Sequence, residues 1–270
     1  MLRLRSLLLL AILALLWSGA VPGQTTSAAA LGSETAKNGF KNEDEIRDKF
    51  IAWKTDADAR AWLVTMGYKT NEILSVNAVK PSGQKSDVDV TVETKAGKHT
   101  EGISIKLVSS PHGFNQIDKR WLAHYVKMWS IPPDVEAALK LFCGETPPTK
   151  AGRSKDRMFL DELTVEQQKA VIDFFAKHRA QVLHDLFRGD GAHAATWFMV
   201  AWKPGEKTSW VLKPDEEVEQ FFGDGKIELT SGGNLKIGKI TVQRKGGDAG
   251  RDTAKMLQFK INPALLFDAK

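Results

Sequence analysis

Ser86-Asp87-Val88-Asp89-Val90-Thr91-Val92 and Gly102-Ile103-Ser104-Ile105-Lys106-Leu107 are two runs in which apolar and polar residues alternate, with Thr94-Lys95-Ala96-Gly97-Lys98 between them. A period of two is the signature of a half-buried strand, and two such runs around a short polar turn containing glycine predict an antiparallel hairpin. On the first strand the valines take one face and Asp87 and Asp89 the other. On the second, Ser104 and Lys106 oppose the isoleucines. Asp87, Asp89, Ser104 and Lys106 are therefore expected to converge. A hard divalent cation such as Mg²⁺ takes oxygen ligands, and one or two carboxylates with substrate phosphate suffice to hold it. An ammonium beside it can orient the attacking water and offset developing charge. The same residues also suit an exposed strand face kept polar for solubility, and spacing alone does not separate the two readings.

The residues that follow, Leu107 to Tyr125, read LVSSPHGFNQIDKRWLAHY. Ile117, Trp121 and Tyr125 recur at i, i+4 and i+8, which predicts an amphipathic helix over 117–129 entered through the turn at Gly113. Asn115 is placed to cap that helix, and Gln116 stands beside it.

With the hairpin, this segment resembles the small type II restriction endonucleases of the PD-(D/E)xK superfamily that cut the palindrome GCGC. The resemblance runs through Leu31-Gly32-Ser33, Gly39-Phe40-Lys41-Asn42-Glu43, Trp62-Leu63-Val64-Thr65-Met66-Gly67, Gly144-Glu145 and Arg157-Met158-Phe159. It continues through Thr241-Val242-Gln243-Arg244-Lys245-Gly246-Gly247-Asp248 and Met256-Leu257-Gln258-Phe259-Lys260. It implies an α/β (mixed α+β) fold with a central mixed sheet flanked by helices. It also implies Mg²⁺-dependent hydrolysis of both strands of duplex DNA at GCGC, leaving 5′-phosphate ends, in functional partnership with a cognate DNA methyltransferase. A palindromic target suits either a homodimer or a monomer that nicks each strand in turn.

Carried over by position, Asp87 looks like the metal-binding aspartate and Lys106 like the catalytic lysine, with Asp89 available as a further ligand. Ser104 falls where the superfamily has Asp or Glu and this family an amide; a hydroxyl is a shorter and poorer ligand, reaching a metal through water if at all. Glu43 resembles the supporting acid of the first helix, although an acid in a first helical turn also serves the macrodipole. The glutamine matching Gln116 lies at the family's DNA interface, where it is associated with distortion of the central base steps.

Between residues 226 and 260 stand eight basic residues, Lys226, Lys236, Lys239, Arg244, Lys245, Arg251, Lys255 and Lys260, against the three acids Glu228, Asp248 and Asp252. That excess of five equals the formal charge of the whole chain, +5, so the basic character is local and suits a polyanion-facing surface. A solvated edge strand protected by lysines has the same composition. Asn115, Gln116, Lys119, Gln243, Arg244, Lys245, Asp248, Arg251, Gln258 and Lys260 are the candidate DNA contacts, since Arg and Lys read guanine edges while amides and acids read adenine and cytosine.

The chain length of 270 residues fits one endonuclease domain over 31–270, with a catalytic core at about 31–135 and a β-rich recognition region at about 226–260. Helices are expected over 43–61, within 136–187 and over 216–222, and strands over 196–203 and 210–213. The single cysteine, Cys143, rules out an intrachain disulfide, and the six histidines lack zinc-type spacing. Trp197, Trp202 and Trp210, with Phe198 and Val200, are expected in the core. Residues 1–30 stand apart: Arg3 and Arg5, the apolar run Leu7 to Trp17 and the small residues Ser18-Gly19-Ala20 have the form of a secretion signal. A restriction enzyme acts in the cytoplasm, so the segment is read as a mis-assigned translation start, with export as the alternative.

Overall fold

The computed structural model describes residues 28–205, 207–247 and 250–268; the signal-like run 1–27 and Asp248 lie outside them. In chain order the elements are α1 (Ala28–Ile51), α2 (Ala57–Thr65), β1 (Ile73–Val79), β2 (Val88–Thr94), β3 (Gly97–Val108), β4 (Asn115–Arg120), α3 (Leu122–Trp129) and α4 (Pro133–Cys143). They continue with α5 (Val165–Lys177), α6 (Arg179–Phe187), β5 (Trp197–Trp202), β6 (Ser209–Pro214), α7 (Asp215–Gly223), β7 (Ile227–Leu229), β8 (Leu235–Ile237), β9 (Ile240–Arg244) and β10 (Leu257–Ile261). The strands form two five-stranded sheets, β1-β2-β3-β5-β6 and β4-β10-β9-β8-β7. In the first, β3 and β5 run parallel and the other neighbours antiparallel, so the mixed α+β architecture is as expected.

The predicted hairpin is present, with Val88 opposite Ile103 and Thr94 opposite Gly97. Its apolar face, Val88, Val90, Val92, Ile103 and Ile105, packs with Met199 under Ile46 and Phe50 of α1 and Trp62 and Leu63 of α2. The opposite face of the first sheet contributes Val108, Phe198 and Val200 to a larger core. There Phe259 of the second sheet meets Tyr125 and Trp129 of α3 and Phe175 of α5 at ring-centroid distances of 5.3, 5.6 and 6.4 Å. Trp197 and Trp210 sit half-buried beside the first core and Trp202 beside the second. Cys143 is fully buried, and burial pushes its thiol pKa up, as expected of an inert thiol.

Three local expectations are corrected. The helix predicted over 43–61 is two helices, because Asp56 caps a new one by accepting a hydrogen bond from the Ala59 N–H. Helix α1 begins well before Glu43, so that residue lies in mid-helix, away from the N-terminal dipole. Residues 115–120 are not helical but form β4, paired with β10 from Asn115↔Ile261 to Arg120↔Leu257. The i, i+4 spacing there was coincidental: a partner strand some 140 residues on supplies the hydrogen bonds, and the helix starts only at Leu122.

Candidate active site

Strand β3 outruns β2. Their pairing ends at Val88↔Ile103, while β3 continues to Val108 beside β5. Beyond that point side chains satisfy the free edge of β3. Asp87 accepts the Ile105 N–H at 2.6 Å, and Asn115 donates from Nδ2 to the Leu107 carbonyl at 2.9 Å. Asn115 is thus a strand-edge clamp in this structure, not a helix cap.

Asp87, Ser104 and Lys106 meet where the strands part. The Ser104 hydroxyl lies 3.4 Å from Asp87 Oδ2. Lys106 Nζ lies 3.4 Å from Ser104 Oγ and 3.7 Å from Asp87 Oδ2, with the Phe198 ring centroid 6.0 Å away. All three line a cleft of about 550 Å³ together with Lys85, Asp118 and Arg120. Asp118 accepts from the Tyr125 hydroxyl at 2.5 Å and from Arg120 at 3.0 and 3.1 Å. The Asp87 side chain keeps 28% of its surface exposed.

Asp89 is on the predicted face but does not join this group. Its side chain is only 4% exposed, and it accepts hydrogen bonds from Ser86 Oγ at 2.5 Å and from His193 Nδ1. The loop before β5 covers it: Ser86 N–H bonds to the His193 carbonyl at 3.1 Å, and the Ala194 carbonyl presses on Gly102, the residue opposite Asp89. A Cβ at Gly102 would lie 2.0 Å from that oxygen, so the close approach requires glycine. Asp89 therefore helps anchor the turn that carries Asp87.

Glu43 approaches from α1. Its carboxylate pairs with Lys80 at 3.1 Å; burial raises its pKa, the nearby Asp87 charge raises it further, and Lys80 and Lys106 act in the opposite direction. It is therefore within electrostatic reach of the cleft.

Sequence reasoning missed two residues here. Lys85 donates to the Leu186 carbonyl and lies 3.8 Å from Asp118, and burial pushes its ammonium pKa down to about 8. In the sequence it is one polar residue of a turn. His193 meets Asp89 across 104 positions, a separation that carries no local signal.

The donor set fits Mg²⁺. One accessible carboxylate and a hydroxyl, with water and phosphate completing the sphere, match a cation that seldom uses a full protein cage. Among the described residues no three His, Cys, Asp or Glu side chains gather into such a cage.

The candidate DNA contacts divide between places. In the second sheet Gln258 pairs with Lys119 on one side and Gln243 on the other, and Lys260 with Gln116 and Thr241. These side chains share the face opposite Leu257, Phe259 and Ile261, which are in the core. Gln258 itself is buried among them. Arg244 is not on the face either. It donates to the Ala254 carbonyl at 3.0 Å and lines a separate cleft with Arg251, Lys155 and Lys255. Lys245 follows the end of β9, its N–H bonded to the Met256 carbonyl at 2.8 Å.

Two sheets meeting at a cleft with Asp87, Ser104 and Lys106 define a restriction-endonuclease fold. It is similar to a crystal structure of restriction endonuclease MspI in complex with its cognate DNA, with a TM-score of 0.61 over 86% of this chain and 92% of that one at 12% identity. A family model described as R.HinP1I restriction endonuclease matches residues 66–267. The chain belongs to the R.HinP1I restriction endonuclease family, a family of type II site-specific deoxyribonucleases. No curated protein matches it in sequence. The family match opens at residue 66, later than the similarity expected from Leu31, and leaves α1 outside it.

Proposed function

We propose that this nuclease is Mg²⁺-dependent and cuts both strands of duplex DNA at GCGC, leaving 5′-phosphate and 3′-hydroxyl ends. The observation that carries the reading is the convergence of Asp87, Ser104 and Lys106 at the point where β3 leaves β2. Asp87 and Ser104 would hold the cation, the serine through water. Bound Mg²⁺ supplies Lewis acidity toward the phosphate and acidifies a coordinated water. Lys106 orients the water that attacks phosphorus, and its ammonium offsets charge as the bond to the 3′ oxygen breaks. Glu43 supports the site electrostatically. Asn115, Gln116, Lys119, Gln243 and Lys260 form the DNA-facing set of the second sheet and its margin, with Arg244, Lys245 and Arg251 at the adjoining cleft. By this reading the catalytic residues fall within 31–135, and the recognition region 226–260 is joined by β4, which pairs with β10. The protein would act in the cytoplasm beside a methyltransferase, as a homodimer or by successive nicking.

The test is to incubate the protein with unmethylated phage-length DNA and Mg²⁺ and to sequence the fragment ends. Discrete ends at GCGC are expected. A smear would replace site specificity with a nonspecific, exported nuclease, for which the run Leu7 to Trp17 is the supporting feature. Intact DNA that still shifts on a gel would mark Ser104 as the sign of a decayed site. The N-terminal peptide of the native protein separates cytoplasmic from exported forms.

A further inference from the structure

A second cleft, of about 500 Å³, lies on the other side of Lys106, between α1 and the end of β3; Asn38, Lys41, Asn42, Glu45, Asn115 and Lys203 are among its walls. The helix stripe that faces it, Thr35, Asn38, Asn42 and Glu45, follows the i, i+3, i+7, i+10 spacing that turns residues toward one side. A helix laid against a sheet ordinarily buries apolar residues along such a stripe, as α1 does one turn later with Ile46 and Phe50. Here the stripe is polar. Gly39 adds no side chain, and a Cβ there would meet nothing within 4 Å.

Asn42 makes the arrangement costly. The residue is 2% exposed, and both its Oδ1 and its Nδ2 are buried without a hydrogen-bond partner. An amide in that state forfeits its hydration without compensation, which a ligand in the adjoining cleft could restore. The charges specify the kind of ligand. Lys41, Lys106 and Lys203 line the cleft against Glu45 alone, which pairs with Lys203 at 2.5 Å. Lys41 stands exposed at the rim.

We propose that this cleft is a subsite for a non-scissile backbone phosphate of the bound DNA, with Lys41 and the Asn42 Nδ2 as donors and a phosphate-bound water returning a hydrogen bond to Asn42 Oδ1. The proposal rests on the nuclease reading above, and Lys106, which lines both clefts, makes the subsite continuous with the site of cleavage. Its residues on α1 lie outside the segment the family model matches.

The test uses the full chain, without metal, and a GCGC duplex in which successive phosphates flanking the expected cut are replaced one at a time by neutral methylphosphonate. One position should weaken wild-type binding about tenfold, the size expected for a hydrogen bond to a charged group. The same replacement should leave Lys41→Ala, already weakened, nearly unchanged. Asn42→Leu should raise the melting temperature, since it removes an unpaired buried amide, while lowering DNA affinity. A higher melting temperature with undiminished binding, or losses in Lys41→Ala and methylphosphonate duplexes that simply add, would overturn the subsite. Those results would leave wild-type cleavage intact, whereas a wild-type protein that neither binds nor cuts DNA would overturn the nuclease reading as well.

Discussion

With Asp87 as the proposed metal ligand and Lys106 as the proposed water-orienting ammonium, Asp87→Ala and Lys106→Ala are expected to reduce cleavage by at least about 10²-fold, the size of a lost electrostatic contact to the transition state, while duplex binding persists. A gel shift beside a cleavage time course checks this, and full activity in either variant would remove that residue from catalysis. His193 acts at one remove. It bonds to Asp89, which also holds Ser86, the neighbour of Asp87. In His193→Ala the buried Asp89 loses a donor, a cost of about 1–3 kcal/mol, and the turn bearing Asp87 loosens. His193→Asn places an amide N–H near the position of Nδ1 and should recover both stability and cleavage. Urea melts and single-turnover rates measure the two effects, and a His193→Asn protein as impaired as His193→Ala would show that the imidazole matters for something other than that bond.

At the scale of elements, helix α3 is joined to strand β10 by Phe259, which contacts Tyr125, Trp129 and Phe175. Phe259→Ala should cost about 3–5 kcal/mol, read as a lower denaturation midpoint with an unchanged denaturant slope. Helix α7 carries a different liability. Glu219 has a buried oxygen, Oε1, with no hydrogen-bond partner, and the His184 Nδ1 is 3.9 Å from it. Burial raises its pKa, with Asp215 adding to the effect. A carboxyl whose pKa is higher folded than unfolded binds its proton more tightly in the native state, so stability falls as pH rises from the unfolded value of 4.5 through the folded one. Glu219→Gln should therefore stabilise the protein at neutral pH by on the order of 1 kcal/mol, with a gain that shrinks as the pH falls below that window. Melts at pH 4 and pH 7 test the sign. Elements made by local pattern were legible in the sequence: the hairpin shows in its alternation, and α7 and the strands β5 and β6 in their periods. Strand β4 was not, because its identity comes from pairing with β10 and because Ile117, Trp121 and Tyr125 fit a helical period equally well. The same limit hid the support behind Asp87. Asp87, Ser104 and Lys106 follow from a hairpin, whereas His193 reaches Asp89 only because a distant loop folds over Gly102.

For the whole molecule, the chain crosses between its sheets more than once, since β4 leaves the region of the hairpin to join the basic C-terminal strands and β5 and β6 return to complete the first sheet. No cut in the sequence therefore divides a catalytic half from a recognition half, and β4, whose Asp118 and Arg120 line the cleft, pairs directly with β10 of the basic stretch. That interleaving separates electrostatic affinity from folding, because Lys119 and Lys260 lie on the polar face of the second sheet and not in either core. Phosphate contacts release counterions, and each one adds about 0.9 to the slope of log affinity against log salt. If both lysines meet phosphates, the double substitution Lys119→Ala, Lys260→Ala should lower that slope by about two. Titrations of a GCGC duplex across a range of salt concentrations measure it in the absence of metal. A slope unchanged from wild type would move the DNA off this face, leaving the cleft of Arg244, Arg251, Lys155 and Lys255 as the place where the basic C-terminal region meets the backbone.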